Sequence, residues 1–313
     1  MTRAILAIDV GETRTMACAF SATDEVLFQK LVASDLTSRA NAFQAMTDLI
    51  DEAQQVKELD ITAIAVDAVG QVNPASGTWF GMSSLIKDNI PLAAMLQERY
   101  QLPCFALNKV YAAAFAELTH GIGQESQNFV YLDVATHIAG RVVNHGRIIN
   151  GTHQYAGEFG HTVVDFNSPI QCTCGRYGCV ETFASATGMS NVAKRLIDQG
   201  ERTVLQVDDT GCVTMKQIMS ALSDGDAVAE MVVEQASRGI ATLIANLIRA
   251  INPAAVVVGG YVVENSTFAL RVTDHLDPEA MRLVDDGVTR TKLDWRLMAA
   301  LGAVTYAQQQ LRQ

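Results

Sequence analysis

Three cysteines within eight residues, Cys172-Thr-Cys174-Gly-Arg-Tyr-Gly-Cys179, constrain this chain more than any other feature, and His161 stands eleven positions before the first of them. Three thiolates and one imidazole make the closed tetrahedral shell of a structural zinc site. Gly175 and Gly178 let the backbone fold tightly around an ion. The plainer alternative is a set of small buried thiols. With four protein ligands no coordination position remains for water, so such a metal would build a site without performing its chemistry. The other three cysteines, Cys18, Cys104 and Cys212, are isolated, which does not suit a disulfide framework and favours a reducing compartment.

Polar residues flank the cluster. Glu158-Phe-Gly-His161 precedes it, and Glu181 follows Cys179 by two. A bound metal would pin these carboxylates and the imidazole relative to one another. Such a group suits a polyhydroxylated ligand, whose hydroxyls both donate and accept; surface solvation of Glu158 and Glu181 is the alternative. The chain has 313 residues, 49% of them hydrophobic, which is room for two domains. A net charge of -11 repels phosphate backbones and argues against direct nucleic-acid binding. The N-terminus has no signal-peptide pattern, and no apolar run reaches the ~18 residues a membrane span needs. A cytoplasmic protein is expected.

Periodicity organises the rest. Ile5–Val10, Thr15–Phe20 and Val26–Val32 read as three strands. Phe43, Met46, Ile50, Ala53 and Val56 then recur at helical spacing. Ile61–Val69 reads as a buried strand, Pro91–Tyr100 as a helix and Cys104–Leu107 as a short strand. Asn108 is placed to cap a helix over Tyr111–Leu118. Strands at 128–134, 138–143 and 147–150 follow, with Gly146 in the hairpin turn. Helices are expected near 191–199, 215–223 and 227–251, the last ended by Pro253. A strand over 255–258 leads into Gly259-Gly260, and a final helix covers about 298–311. Asp9-Val-Gly-Glu-Thr and Asp133-Val-Ala-Thr-His each close a strand and open a hairpin. That echo suggests a duplicated α/β fold with a cleft between two lobes.

The residues from Glu158 through Glu181 resemble the signature of the ROK family (repressors, open reading frames, kinases): Glu-x-Gly-His, then Cys-x-Cys-Gly-x-x-Gly-Cys-x-Glu. Other landmarks fall in order. Asp9-Val-Gly11-Glu12-Thr13 resembles the family's first phosphate loop, Asn108-Lys109-Val-Tyr-Ala-Ala its Asn-Asp-x-x-Ala-Ala segment, and Val256-Val-Val-Gly259-Gly260 its nucleotide-side strand and turn. Leu301-Gly302-Ala303 resembles its closing helix. The resemblance implies an α/β, actin-like, two-lobed fold of the sugar kinase and heat-shock ATPase type, with a structural zinc site. Its N-terminal lobe would be residues 1–107, with the helix of about 298–313 packing back on it, and its larger lobe residues 108–297. It implies sugar contacts from Asn108, Glu158, His161 and Glu181, and zinc held by His161, Cys172, Cys174 and Cys179. The histidine would give one ring nitrogen to the metal and one to the sugar. Ser83 stands where the family has a further sugar-binding Asn. Asp9, Gly11, Glu12, Thr13, Thr136, His137, Gly259 and Gly260 fall on the nucleotide side. The family also suggests a homodimer.

Three departures touch the phosphate side. Lys109 replaces the family's catalytic Asp. An ammonium with a usual pKa near ~10.4 accepts no proton at neutral pH. It would attract an anionic substrate or product, or simply sit solvated at a helix start. Glu12 replaces a glycine that lets backbone N–H groups approach phosphate. In the second phosphate loop, Thr136-His137-Ile138-Ala139-Gly140-Arg141, glycines are lost while imidazole and guanidinium enter; Arg141 is a phosphate ligand in its own right on one reading. The expectation is a degenerate kinase that binds a sugar or amino sugar and acts as a sensor or regulatory partner. The alternative is an active ATP- and Mg2+-dependent hexose or N-acylhexosamine kinase, with Asp133 standing in near the second loop. The family's repressors carry a helix-turn-helix ahead of the kinase-like region. Here the first loop strand begins by residue 5, so direct DNA binding is not expected.

Overall fold

Ala4 through Val10 are all buried, so the opening apolar run becomes a central strand, β1 (Thr2–Val10). The computed structural model describes residues 1–80 and 89–312. Chain contacts divide the protein into two units: Met1–Glu125, Gly146–Ala156 and Lys292–Gln313 form the first, Ser126–His145 and Gly157–Thr291 the second.

In the first unit, β2 (Arg14–Phe20) and β3 (Val26–Ala33) continue antiparallel from β1. On the other side of β1, β4 (Leu59–Ala68) and then β7 (Cys104–Asn108) add in parallel. The sheet order is β3-β2-β1-β4-β7. Helix α1 (Arg39–Gln54) is capped by Ser38 and buries Met46, Leu49, Ile50 and Ala53 against Leu6, Ile8, Ile64 and Val66. Val56 lies two residues beyond its end. A small hairpin, β5 (Gln71–Asn73) and β6 (Thr78–Phe80), precedes α2 (Leu92–Tyr100). Its Trp79 is fully buried, and its indole N–H donates to the Val69 carbonyl at 2.7 Å. Helix α3 (Lys109–His120) follows β7 without a loop, and α10 (Met298–Gln310) packs on α3, β1 and β4.

The second unit repeats the pattern. β9 (Ile138–Asn144) pairs antiparallel with β8 (Phe129–Val134), while β11 (Ala255–Gly259) and β12 (Val288–Arg290) add in parallel on the other side of β8. The two-residue β10 (Arg147–Ile148), which belongs to the first unit, follows a turn in which Gly146 has φ 70°. Helices α4 (Glu181–Ala184), α5 (Ala186–Asp198), α6 (Met215–Ser223) and the long α7 (Ala227–Ile251) come next. The short α8 (Ser266–Asp274) and α9 (Pro278–Met281) follow β11. Along α7, Val232, Ala236, Ile240, Leu243, Ile244 and Leu247 are buried against β8 and α4, as three- and four-residue spacing requires. Asn252 ends it in the left-handed conformation, next to Pro253.

The expected hairpins after Asp9 and after Asp133 both form. The β5–β6 hairpin, α4, α8, α9 and β12 carry too few periodic residues to be read from sequence. Within the first unit α10 lies close against α3: an added Cβ at Gly302 would lie 1.8 Å from the Ala112 carbonyl oxygen.

Candidate functional site

The chemistry-bearing residues form one group in each unit. In the second, the loop after the 3-10 turn Phe159–His161 folds the cysteine segment back on that turn. Gly175 and Gly178 have φ of 86° and 78°. The ligand atoms of His161, Cys172, Cys174 and Cys179 all lie within 4.8 Å of one another. His161 Nδ1 is 3.3 Å from Cys172 Sγ, and Cys174 Sγ is 3.6 Å from Cys179 Sγ. Tetrahedral zinc with bonds of about 2.0–2.3 Å sets such edges at about 3.6–3.8 Å, and a disulfide would need about 2.05 Å. The donor set therefore fits a zinc ion. The backbone N–H of Arg176, then its side chain, draw the Cys174 thiol down to about 6, while burial pushes Cys179 up to about 12.

His161 turns its other nitrogen outward. Nε2 lies 3.9 Å from Glu158 Oε2. Glu181 opens α4 and accepts the Ile138 backbone N–H on Oε2 at 3.1 Å. Its Oε1 is 3.4 Å from His137 Nδ1. Burial opposes the Glu181 charge, but the His137 hydrogen bond, the Ile138 N–H and the charges of His137 and His161 outweigh it, so the carboxyl is held below its usual range. Gly160 permits this approach, since a Cβ there would meet Glu181 Oε2 at 2.7 Å and the Ile138 carbonyl at 2.4 Å. Glu158, His161 and Glu181 thus meet in one place, each partly exposed.

Two second-loop residues have partners within the second unit. His137 is half-exposed, with its ring at Glu181. Arg141 is 3% exposed, its Nη1 donating to the Gly140 carbonyl at 2.8 Å, so its guanidinium does not present itself at the loop surface. Thr136 lends its backbone carbonyl to the start of α5, accepting from Thr187 at 3.5 Å. At the end of β11, Gly259 pairs in register with Asp133, and Gly260 has φ 91°. Tyr131 donates its hydroxyl to Asp133 Oδ1 at 3.0 Å.

In the first unit, Asn108 ends β7 and caps α3. Its Oδ1 accepts the Tyr111 N–H at 3.0 Å and its Nδ2 donates to the Gly70 carbonyl at 2.6 Å. Lys109 is ion-paired, although 37% of its side chain is exposed. Its Nζ lies 2.5 Å from Asp9 Oδ1, in the cleft of the turn where the Gly11 N–H donates to the Arg14 carbonyl at 2.9 Å. Glu12 and Thr13 form the exposed tip of that turn. The sequence reading missed Asp67. It lies opposite Asp9 in the β1–β4 register and is 0% exposed. The signal was present: one acid in the apolar run of β4, as Asp9 is in β1. An ammonium against Asp9 meets the carboxylate that a divalent ion would need, so the residues present do not fit a resident Mg2+ at this turn. Ser83, the remaining expected sugar ligand, lies outside the described residues.

Comparison with known proteins places these motifs. The ROK family model matches residues 5–309. A glucokinase from Halalkalibacterium halodurans is 29% identical over 90% of this chain and 87% of its own length. An N-acetylglucosamine repressor from Escherichia coli O6:H1 is 30% identical over 83% of this chain, which spans only 63% of that protein's length. A ROK hexokinase from Thermus thermophilus shares the fold with a TM-score of 0.79 at 24% identity, covering 99% of each chain. Fold, motifs and the near-complete family match agree: this chain belongs to the ROK family.

Proposed function

We propose that the protein binds a hexose or N-acylhexosamine through Glu158, His161 and Glu181, and that it acts as a sensor or regulatory partner rather than as an efficient kinase. The observation that carries the proposal is the ion pair between Lys109 and Asp9. The position that resembles the family's proton acceptor holds a lysine paired with a carboxylate, not an acid. Loss of a general base alone costs about 10²–10⁴-fold in rate.

Zinc held by His161 and the three thiolates would fix the ring of His161. Its Nε2 and the two carboxylates would then offer one donor-acceptor set to adjacent sugar hydroxyls. His137 adds a donor that holds Glu181 in place. In the first unit, the Asn108 amide is oriented by Tyr111 and Gly70. Resemblance to the family further supports an actin-like frame, a cytoplasmic location and a homodimer.

Calorimetry with glucose, N-acetylglucosamine and their epimers tests sugar binding, and a coupled ADP-release assay tests turnover. We expect binding of at least one sugar with negligible ATP consumption, and turnover gained by Lys109→Asp. Absence of all sugar binding ends the proposal. Rapid ATP consumption by the wild type would instead establish an ATP- and Mg2+-dependent sugar kinase with a rearranged site, in keeping with the name of the glucokinase relative.

A further inference from the structure

Two carboxyl groups stand side by side where parallel strands β1 and β4 end, with Asp9 opposite Asp67 in the register. Asp67 is completely buried and neither of its oxygens meets a donor. Asp9 is only 8% exposed. Adjacent buried carboxyls repel when both ionise, and proteins resolve this with a retained proton, a nearby cation or both. Mg2+ and similar ions are held by one or two carboxylates, so this pair has a suitable donor count.

Here the chain brings its own cation. β4 pairs with β7 so that Ala68 faces Asn108, which delivers the next residue, Lys109, to the end of the same strands. The ammonium sits on Asp9 and also closes over the Gly11 turn, where a Cβ built on Gly11 would lie 3.8 Å from Nζ. We propose that Lys109 is the resident cation of the Asp9–Asp67 pair, so that the native protein excludes divalent ions from this position and Lys109→Met opens a divalent-ion site there. This goes beyond the sugar-binding proposal and needs no sugar for its test.

The experiment compares wild type, Lys109→Arg, Lys109→Met and the double variant Lys109→Met/Asp9→Asn in metal-free buffer and in millimolar Mn2+, without sugar or nucleotide. Thermal unfolding and Mn2+ calorimetry are the readouts. Wild type and Lys109→Arg should melt at the same temperature with and without Mn2+. Lys109→Met should melt lower in metal-free buffer, recover in Mn2+, and bind Mn2+ at least about ten-fold more tightly than wild type, since a unit charge beside the ion is removed. The double variant should lose that binding. If Lys109→Met fails to fold without metal, refolding in Mn2+ is the readout, and no recovery overturns the proposal. Wild type that binds Mn2+ as tightly as Lys109→Met overturns it as well.

Discussion

At Asp67 the fold removes all solvent from a carboxyl group and sets another carboxyl, Asp9, beside it. Burial first, then the Asp9 charge, push its pKa well above the usual range, with Lys109 opposing them. The folded chain therefore keeps a proton that the unfolded chain gives up above about pH 3.9. The stability this supplies is complete below that value and is lost as pH rises toward the folded pKa. Asp67→Asn imitates the protonated acid. It should raise stability at neutral pH and flatten the decline in stability as pH rises above about 3.9. Denaturant titrations across that range check it; an unchanged slope would show that Asp67 is ionised in the fold. His137 makes a second point at this scale. Its type is legible in sequence, but its partner is not, because Glu181 lies forty-four residues away in the chain, beyond β9 and the cysteine segment.

At the scale of elements, the cysteine segment and the turn at His161 depend on one another. The segment buries little apolar surface of its own, and Cys174 and Tyr177 are exposed. Its order must come from backbone bonds such as Cys172 N–H to the Arg176 carbonyl at 2.8 Å, and from the metal the thiols would hold. Purified protein is expected to carry one zinc per chain. Cys179→Ser should lower that content towards zero and weaken sugar binding by at least about 1.4 kcal/mol, a factor of ten, because Glu158 and Glu181 are positioned from either end of the segment. Metal analysis and calorimetry on the same preparation check both. A fully zinc-free wild type with intact sugar affinity would contradict the role assigned to the metal. Helix α3 shows the same economy: Asn108 ends a strand, caps a helix and orients Lys109 in consecutive residues.

At the scale of the whole molecule, the last helix of the chain completes the first unit. Gly302 on α10 stands against the Ala112 carbonyl on α3, with no room for a side chain. Gly302→Ala should destabilise the protein by about 1–3 kcal/mol through overpacking, with larger residues costing more. Urea unfolding measures this, and a neutral effect would mean that the two helices can separate without loss. Among the described residues no helix is long and apolar enough to cross a membrane, in line with the sequence expectation.

The sequence by itself determined the alternation of strands and helices, because apolar spacing reports which face of each element is buried. It also determined the thiol–imidazole donor set and the family, because both reside in short local motifs. Tertiary structure decided which charges meet. The Asp9–Lys109 pair spans one hundred residues of chain, and Asp67 joins them only because β4 lies parallel to β1 between the strands that carry them. Strand order is set by packing of whole elements, so no local pattern encodes it. The electrostatics that follow from that order therefore became visible only in the folded chain.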